Sequence, residues 1–227
     1  MGISYHIEFV HSAKPITGKA TKFGGQPNWV IEPQWPLSRL TGNPMCFIAQ
    51  IELATPHFSD GEGQMAYLFM TDEEDICVDG TWDAESGENA VIIQPGVYAG
   101  STAPIEIGPS LYQMVEKPNQ DYLEREMVEY AVKLHLQKEP DFQSEEIRSE
   151  WALEEYDQYQ QALEGNKIGG APLFLQSDEF PEGSDWKLLL QLDAGRVPFY
   201  VNFGDAGIGY AFVNPKGTVG KFLWQCA

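Results

Sequence analysis

The chain has 227 residues, 43% of them hydrophobic, with 12 Phe, 10 Tyr and 6 Trp. This is enough for one large domain or two small ones packed together, and too apolar for a globally disordered chain. Its 34 acidic residues against 14 basic ones give a formal net charge of −20, which disfavours nucleic acid and anionic lipid as partners and favours encounter with a basic protein.

From the N-terminus, the residues around His6 and His11 read as a strand. Two imidazoles five positions apart on a strand face opposite sides, so they make a poor metal pair. Lys22-Phe23-Gly24-Gly25-Gln26-Pro27 is a turn, in which paired glycines allow positive φ and Pro27 fixes the backbone that follows. After Trp29 and Trp35-Pro36 comes an apolar run, Phe47–Leu53, without helical period, and this predicts a buried strand. Gln50 lies in its middle, where a buried amide must find partners. Gly61-Glu62-Gly63 reads as a turn into the aromatic strand Met65–Met70, and Trp82 closes the pattern.

The same order returns later in the chain. Lys167-Ile168-Gly169-Gly170-Ala171-Pro172 repeats the turn, Phe174 stands for Trp29, and Phe180-Pro181 for Trp35-Pro36. The run Trp186–Leu192 carries Gln191 in place of Gln50, Gly204-Asp205 matches Gly61-Glu62, Ile208–Val213 matches Met65–Met70, and Trp224 closes the second set. The chain therefore reads as two diverged β-rich units, 1–88 and 166–227, packed as a single domain. In the connecting segment, 89–165, Asn89–Val97 and Pro104–Ile107 look extended. The spacing of Leu123, Met127, Tyr130, Ala131 and Leu134 predicts a helix over 120–137, ended by Pro140. A second helix starts at Ser144, carries Trp151, Tyr156, Tyr159 and Leu163, and stops at Gly165. The expected fold class is α+β, two β-rich units bridged by a helical segment. Trp29, Trp35, Phe47, Phe69, Leu189, Tyr210 and Phe212 are its expected core.

Lys-x-Gly-Gly-x-Pro, the apolar run ending in Gln-Ile or Gln-Leu, and Phe203-Gly204-Asp205-Ala206-Gly207-Ile208-Gly209-Tyr210 resemble the YwqG-like family of bacterial proteins, whose function is unassigned. The resemblance runs from about Thr21 to the C-terminus, and implies duplicated β units but no reaction. A fainter likeness, limited to the Gly-Gly-x-Pro turn and the strand ending in Gln-Leu, reaches the programmed-cell-death-protein-2 family. Those proteins are regarded as chaperones of a basic ribosomal protein, and this chain lacks their cysteine-rich zinc-binding insert. The likeness implies protein binding in general terms.

No catalytic constellation is legible. There is no Gly-x-Ser-x-Gly elbow and no His-x-x-x-His pair, and Gly204–Gly209 precedes a strand without the lysine of a phosphate-binding loop. His57, in a loop after Pro56, is a candidate general base without a nucleophile beside it. Cys46, Cys77 and Cys226 are an odd count without close spacing, so neither a disulfide framework nor a zinc site is expected. Asp72-Glu73-Glu74-Asp75, with Asp79 and Asp83, could offer oxygen ligands to a hard cation, but contiguous carboxylates on a loop point apart. Asp205, with Glu62 as its counterpart, either closes an Asx-type turn or is presented to a ligand by the open glycine loop. Asp205, Glu62, His57 and Trp35 are the binding candidates. Gly24, Gly25, Pro27, Gln50, Gly169, Gly170, Pro172, Gln191, Gly204 and Gly207 are the structural ones.

The charge is unevenly placed. No Lys or Arg lies between Arg39 and Lys117, a stretch that holds thirteen carboxylates, eight of them from Asp72 to Glu88. A non-enzymatic module that binds a basic protein, immunity-like or chaperone-like, accounts for this and for the missing catalytic residues. The alternatives are an enzyme or small-molecule sensor using the cleft between the units, and acidity that serves only solubility. The N-terminus lacks the pattern of a signal peptide and no run of about 18 apolar residues occurs. A cytoplasmic protein without cofactor, metal, nucleic acid or membrane attachment is expected.

Overall fold

The computed structural model describes residues 1–53, 58, 64–74, 76–95, 100–118, 122–183 and 185–227. Short apolar runs punctuated by glycine and proline fold as strands throughout. In chain order these are β1 (Gly2–His11), β2 (Lys22–Gly24), β3 (Trp35–Pro36), β4 (Cys46–Glu52), β5 (Met65–Met70), β6 (Asn89–Gln94), β7 (Thr102–Ala103), β8 (Tyr112–Glu116), β9 (Leu123–Met127) and β10 (Glu129–Glu139). Two helices follow, α1 (Glu145–Arg148) and α2 (Leu153–Leu163), and then β11 (Lys167–Gly169), β12 (Lys187–Asp193), β13 (Ile208–Val213) and β14 (Gly220–Gln225). Ten strands make one antiparallel sheet in the order β14-β13-β12-β11-β1-β10-β2-β4-β5-β6, while β3–β7 and β8–β9 are separate two-stranded ribbons.

The sheet curls until its two edges meet without forming a ladder. A Cβ built on Gly220 of β14 would stand 2.3 Å from the Val91 side chain of β6. Trp224 N donates to Trp82 O at 3.2 Å, and Lys221 pairs with Glu85 at 2.7 Å, which ties β14 to the chain between β5 and β6. The interior of this nearly closed barrel is filled by alternate residues of each strand, among them Phe9, Phe23, Leu68, Val91, Tyr130, Leu190, Val213 and Phe222.

This architecture corrects the expected fold class: the protein is mostly β, and no helical segment bridges two units. Residues 123–127 and 129–137 of the predicted first helix lie in β9 and β10. Tyr130, Val132 and Leu134 alternate into the barrel, and β10 pairs with β1 along its whole length, from Gly2↔Glu139 to His11↔Tyr130. The ladder and the burial of aromatic and β-branched side chains outweigh the local spacing that suggested a helix. Ser144 stands at the start of α1 without a side-chain cap; the Asp178 carboxylate accepts from Glu145 N instead and also pairs with buried Arg148. The expected second helix breaks between α1 and α2, and α2 buries Tyr159 and Leu163 against Ala171 and Leu173. Extended structure near Pro104–Ile107 is limited to β7, just before it. Of the expected core, Trp35, Phe47, Phe69, Leu189, Tyr210 and Phe212 are buried and Trp29 is partly buried.

Two irregular arms cover the outer face of the sheet. Residues 26–45 lie over β4–β6, with Trp29 and Trp35 on Tyr67 and Phe69; residues 171–183 lie over β12–β14, with Phe174 and Phe180 on Tyr210 and Phe212. Backbone without a strand partner needs other partners, and three sheet side chains supply them to each arm. Gln50 Oε1 accepts from Asn28 N at 2.8 Å and its Nε2 donates to Gly18 O and Ala20 O. Tyr67 donates to Asn28 O, and Gln94 Oε1 accepts from Val30 N and Ile31 N. On the second arm Gln191 accepts from Leu173 N and donates to Leu163 O and Gly165 O. Tyr210 donates to Leu173 O, and Gln225 accepts from Leu175 N and Gln176 N.

The glycine turns are built on buried ion pairs. Lys22 Nζ lies 2.6 Å from Glu129, and Lys167 Nζ 2.9 Å from Glu139, both carboxylates lying on β10. Glu139 also accepts from Ala171 N at 2.5 Å, and a Cβ on Gly170, where φ is +77°, would fall 1.9 Å from its Oε1. Gly25 meets Glu129 in the same way. Gly24 and Gly169 end β2 and β11, and Pro27 and Pro172 carry the chain out into the arms. Burial pushes the Lys167 ammonium below its ordinary range, opposed by Glu139. Truncating the lysine would leave the Glu139 carboxylate buried without its counter-ion, a loss of about 3 to 5 kcal/mol. Lys167→Met is therefore expected to lower the urea midpoint strongly, whereas Lys133→Met, which breaks the exposed pair with Glu8, leaves it unchanged.

Candidate functional site

At one end of the barrel, where β4 begins and β5 and β14 end, a cleft of about 690 Å³ opens. Its apolar floor is Ile48, Met70, Leu111 and Val201, and aromatic side chains of Trp82, Tyr112, Tyr200 and Trp224 line it. Residues from the first part of the chain (46–82), the β8–β9 ribbon and the last part (200–224) all contribute. Four carboxylates line it as well, Asp72, Glu73, Glu74 and Asp79, against one basic side chain, Arg125.

The polar group at its centre is built on the ribbon. Tyr112 stacks on Tyr200 with ring centroids 5.2 Å apart, and Tyr200 N donates to Tyr112 O at 2.8 Å. The Arg125 guanidinium lies 4.5 Å from the Tyr112 ring centre and reaches Asp72 at 3.5 Å. Burial pushes the Asp72 carboxyl above its ordinary range, and Glu73 and Glu74 add to this, against the opposing effect of Arg125 and the Tyr112 hydroxyl. Burial, then Asp72, pushes the Tyr112 phenol up. Cys46, at the cleft wall, is buried and its thiol raised by that burial, so it has no thiolate character.

Three other acidic residues at or near the cleft are held by separate partners. Glu73 accepts from Thr41 Oγ1 and Asn43 Nδ2, Asp79 from Gly80 N and Trp82 Nε1, and Asp83 from Glu85 N. Among the described residues no three His, Cys, Asp or Glu side chains converge as metal ligands. Asp75 lies outside the described residues.

The sequence candidates are not brought together. His57 and Glu62 lie outside the described residues. Trp35 is fully buried under the first arm, donating to Met45 O at 2.8 Å, and does not line the cleft. Gln50 and Gln191 anchor the arms. Asp205 is exposed beside the cleft, and its backbone carbonyl accepts from Ala227 N. The Asx-type turn in this loop belongs to Asn202, whose Oδ1 accepts from Gly204 N at 3.1 Å. Gly204 lines the cleft, and Gly207 is fixed by packing: a Cβ there would lie 1.7 Å from Phe203 O. The loop thus seats the fully buried Phe203 against Phe222 and Trp224.

Sequence reasoning missed Tyr112, Arg125 and Tyr200. Arg125 carries a legible signal, since with Lys117 it is among the first cations after the stretch free of Lys and Arg, but a helical reading of 120–137 hides its place on a ribbon.

The sequence pattern of a domain of unknown function, DUF1963, matches residues 21–218. The chain belongs to the DUF1963 family. No curated protein matches it. In this DUF1963 protein, no helix among the described residues is long and apolar enough to cross a membrane.

Because its folded pKa is raised, Asp72 favours the folded state when protonated, and that contribution is lost as pH rises through its titration. Asp72→Asn is therefore expected to raise stability in urea at about pH 7, with the gain shrinking towards the pH range where carboxylates titrate, about pH 4. An unchanged difference between the two pH values would contradict this.

Proposed function

We propose that this DUF1963 protein is a YwqG-like, internally duplicated binding module whose acidic cleft receives a cationic side chain of a basic protein partner. The observation that supports it most is the cleft itself: four carboxylates and four aromatic side chains around one guanidinium that is already paired. Aromatic faces attract cations, and carboxylates beside them add charge at a partly desolvated site. The net charge of −20 would speed the approach of such a partner. The duplication is supported by the matching glutamine, tyrosine and lysine bonds of the two arms.

A second reading is a small-molecule sensor or enzyme in the same cleft. Its volume of about 690 Å³ and its lining from distant parts of the chain favour this one.

The test uses blocked arginine, blocked lysine and blocked norleucine amides, followed by the fluorescence of Trp82 and Trp224 and by amide NMR shifts. The two cations are expected to bind and the neutral analogue not to. Affinity should fall at least about tenfold in Asp72→Asn, weaken with salt, and fall as pH drops through the raised Asp72 titration, since only the carboxylate attracts a cation. Equal binding of norleucine, or no binding of either cation, would remove this reading.

A further inference from the structure

The β8–β9 ribbon pairs with no other strand among the described residues. Its register places Tyr112 opposite Met127, Met114 opposite Arg125, and Glu116 opposite Leu123. Directly opposed residues share a face, so one face carries Tyr112, Arg125, Met114, Leu123, Met127 and Glu116. Its apolar members are exposed: Met114 is 43% accessible, Leu123 48% and Met127 66%. The other face carries Gln113, Val115, Glu124 and Glu126; Glu126 also pairs with Lys117 at 2.9 Å. An exposed two-stranded ribbon with three large apolar side chains beside Arg125 and Glu116 on one face, and two carboxylates on the other, is an unusual surface for a chain of this charge.

The backbone of the ribbon points the same way. Val128 N donates to Leu111 O, and Tyr112 O accepts from Tyr200 N on the side away from β9. Hydrogen-bonded and non-bonded pairs alternate in an antiparallel ladder, so Gln113/Glu126 and Val115/Glu124 exchange the ribbon's bonds. The N–H and C=O groups of Leu123, Arg125 and Met127 are left facing outward, along an edge of β9 that pairs with no strand among the described residues.

We infer that this edge accepts an extended segment of a partner protein as an added antiparallel strand, with apolar and basic residues alternating. Residues opposite Leu123, Arg125 and Met127 would share the apolar face and be apolar themselves. Residues opposite Glu124 and Glu126 would share the acidic face and be Lys or Arg. Main-chain bonds then give affinity and the alternate side chains give specificity. A second copy of this chain does not fit, because antiparallel pairing of two β9 edges sets Glu124 of one copy opposite Glu126 of the other. A lipid surface fits poorly, because Glu116, Glu124 and Glu126 surround the apolar side chains. The inference deepens the binding reading above and rests on it only for the sign of the partner's charge.

The probe is a capped peptide of about seven residues alternating valine and lysine, with binding to the whole protein read by fluorescence anisotropy. Methylating the valine nitrogens, which face β9 in the proposed register, is expected to weaken binding at least tenfold. Methylating the lysine nitrogens, which face away, should leave it within about twofold, because those N–H groups make no bond to β9. The exposed double variant Glu124→Lys, Glu126→Lys should also weaken it at least tenfold while its unfolding curve stays that of the parent. Equal loss from both methylated series, no binding of the parent peptide, or binding of the protein to neutral phosphatidylcholine vesicles would overturn the inference, as would concentration-dependent dimerisation lost in the double variant. Asp72→Asn separates the two sites. Peptide binding that survives it, with blocked arginine no longer bound, places the extended segment on the ribbon; loss of blocked-arginine binding to the parent protein alone removes the cleft reading and leaves this one standing.

Discussion

A side-chain amide in the middle of a buried strand governs this structure. Gln50 and Gln191 are fully buried, and each accepts from one amide of an irregular arm and donates to two carbonyls of the chain just before β2 or β11. Without that bond the arms would carry unpaired backbone over an apolar face, at about 1 to 3 kcal/mol for each group. Leucine would fill the volume and leave the donors and acceptors of the arm unsatisfied. The tyrosines and the second glutamines extend the same solution along each arm, so that coil can serve as a third layer where a helix would be usual. The aromatic side chains of the arms then bury the outer face of the sheet over β4–β6 and β12–β14.

The layering determines where function can reside. With the interior filled and the outer faces of β4–β6 and β12–β14 covered, those strands expose little of themselves to a partner. The open places include the barrel end, where β5 gives way to the acidic loop, and the ribbon that lies beside it. Both depend on residues far apart in the chain. Tyr112 and Arg125 meet Asp72 only because β8 leaves the barrel beside β4, through Leu111 N bonding to Phe47 O. Tyr200 completes the stack because the loop before β13 is pinned by Phe203.

Much of the sheet was legible in the sequence, and for a reason particular to these residues. Met65–Met70 and Ile208–Val213 each follow a glycine turn and contain tyrosine and phenylalanine in runs buried on both sides, so no helical reading competes. The Lys-x-Gly-Gly-x-Pro turn was readable as a turn, but not its cause. A carboxylate on β10 occupies the space a Cβ would need, and that glutamate stands more than a hundred residues from Lys22 in one turn and before Lys167 in the other. The segment 120–137 misled because Leu123, Met127, Tyr130 and Leu134 satisfy a helical spacing by coincidence. Val132 and the alternation of Tyr130, Val132 and Leu134 held the correct answer, but a strand as exposed as Leu123–Met127 has no apolar alternation to announce it. The cleft was invisible for the same reason, since Tyr112 and its one basic member, Arg125, sit on that ribbon, and Trp35, the indole that the sequence made conspicuous, is core.

The acidity of the chain takes on a definite meaning beside these surfaces. A ribbon edge bearing Met114, Leu123 and Met127 would invite self-pairing in a neutral protein. Here a net charge of −20, with Glu124 and Glu126 on the edge strand itself, opposes two copies approaching. On the proposed reading the same charges would attract a basic chain, so that one feature would oppose self-assembly and select the partner. Solubility alone would be served by carboxylates placed anywhere on the surface. It does not require them in the loop that lines an aromatic cleft, in a stretch of chain with no basic residue between Arg39 and Lys117. Placement, rather than the total, is what argues for recognition.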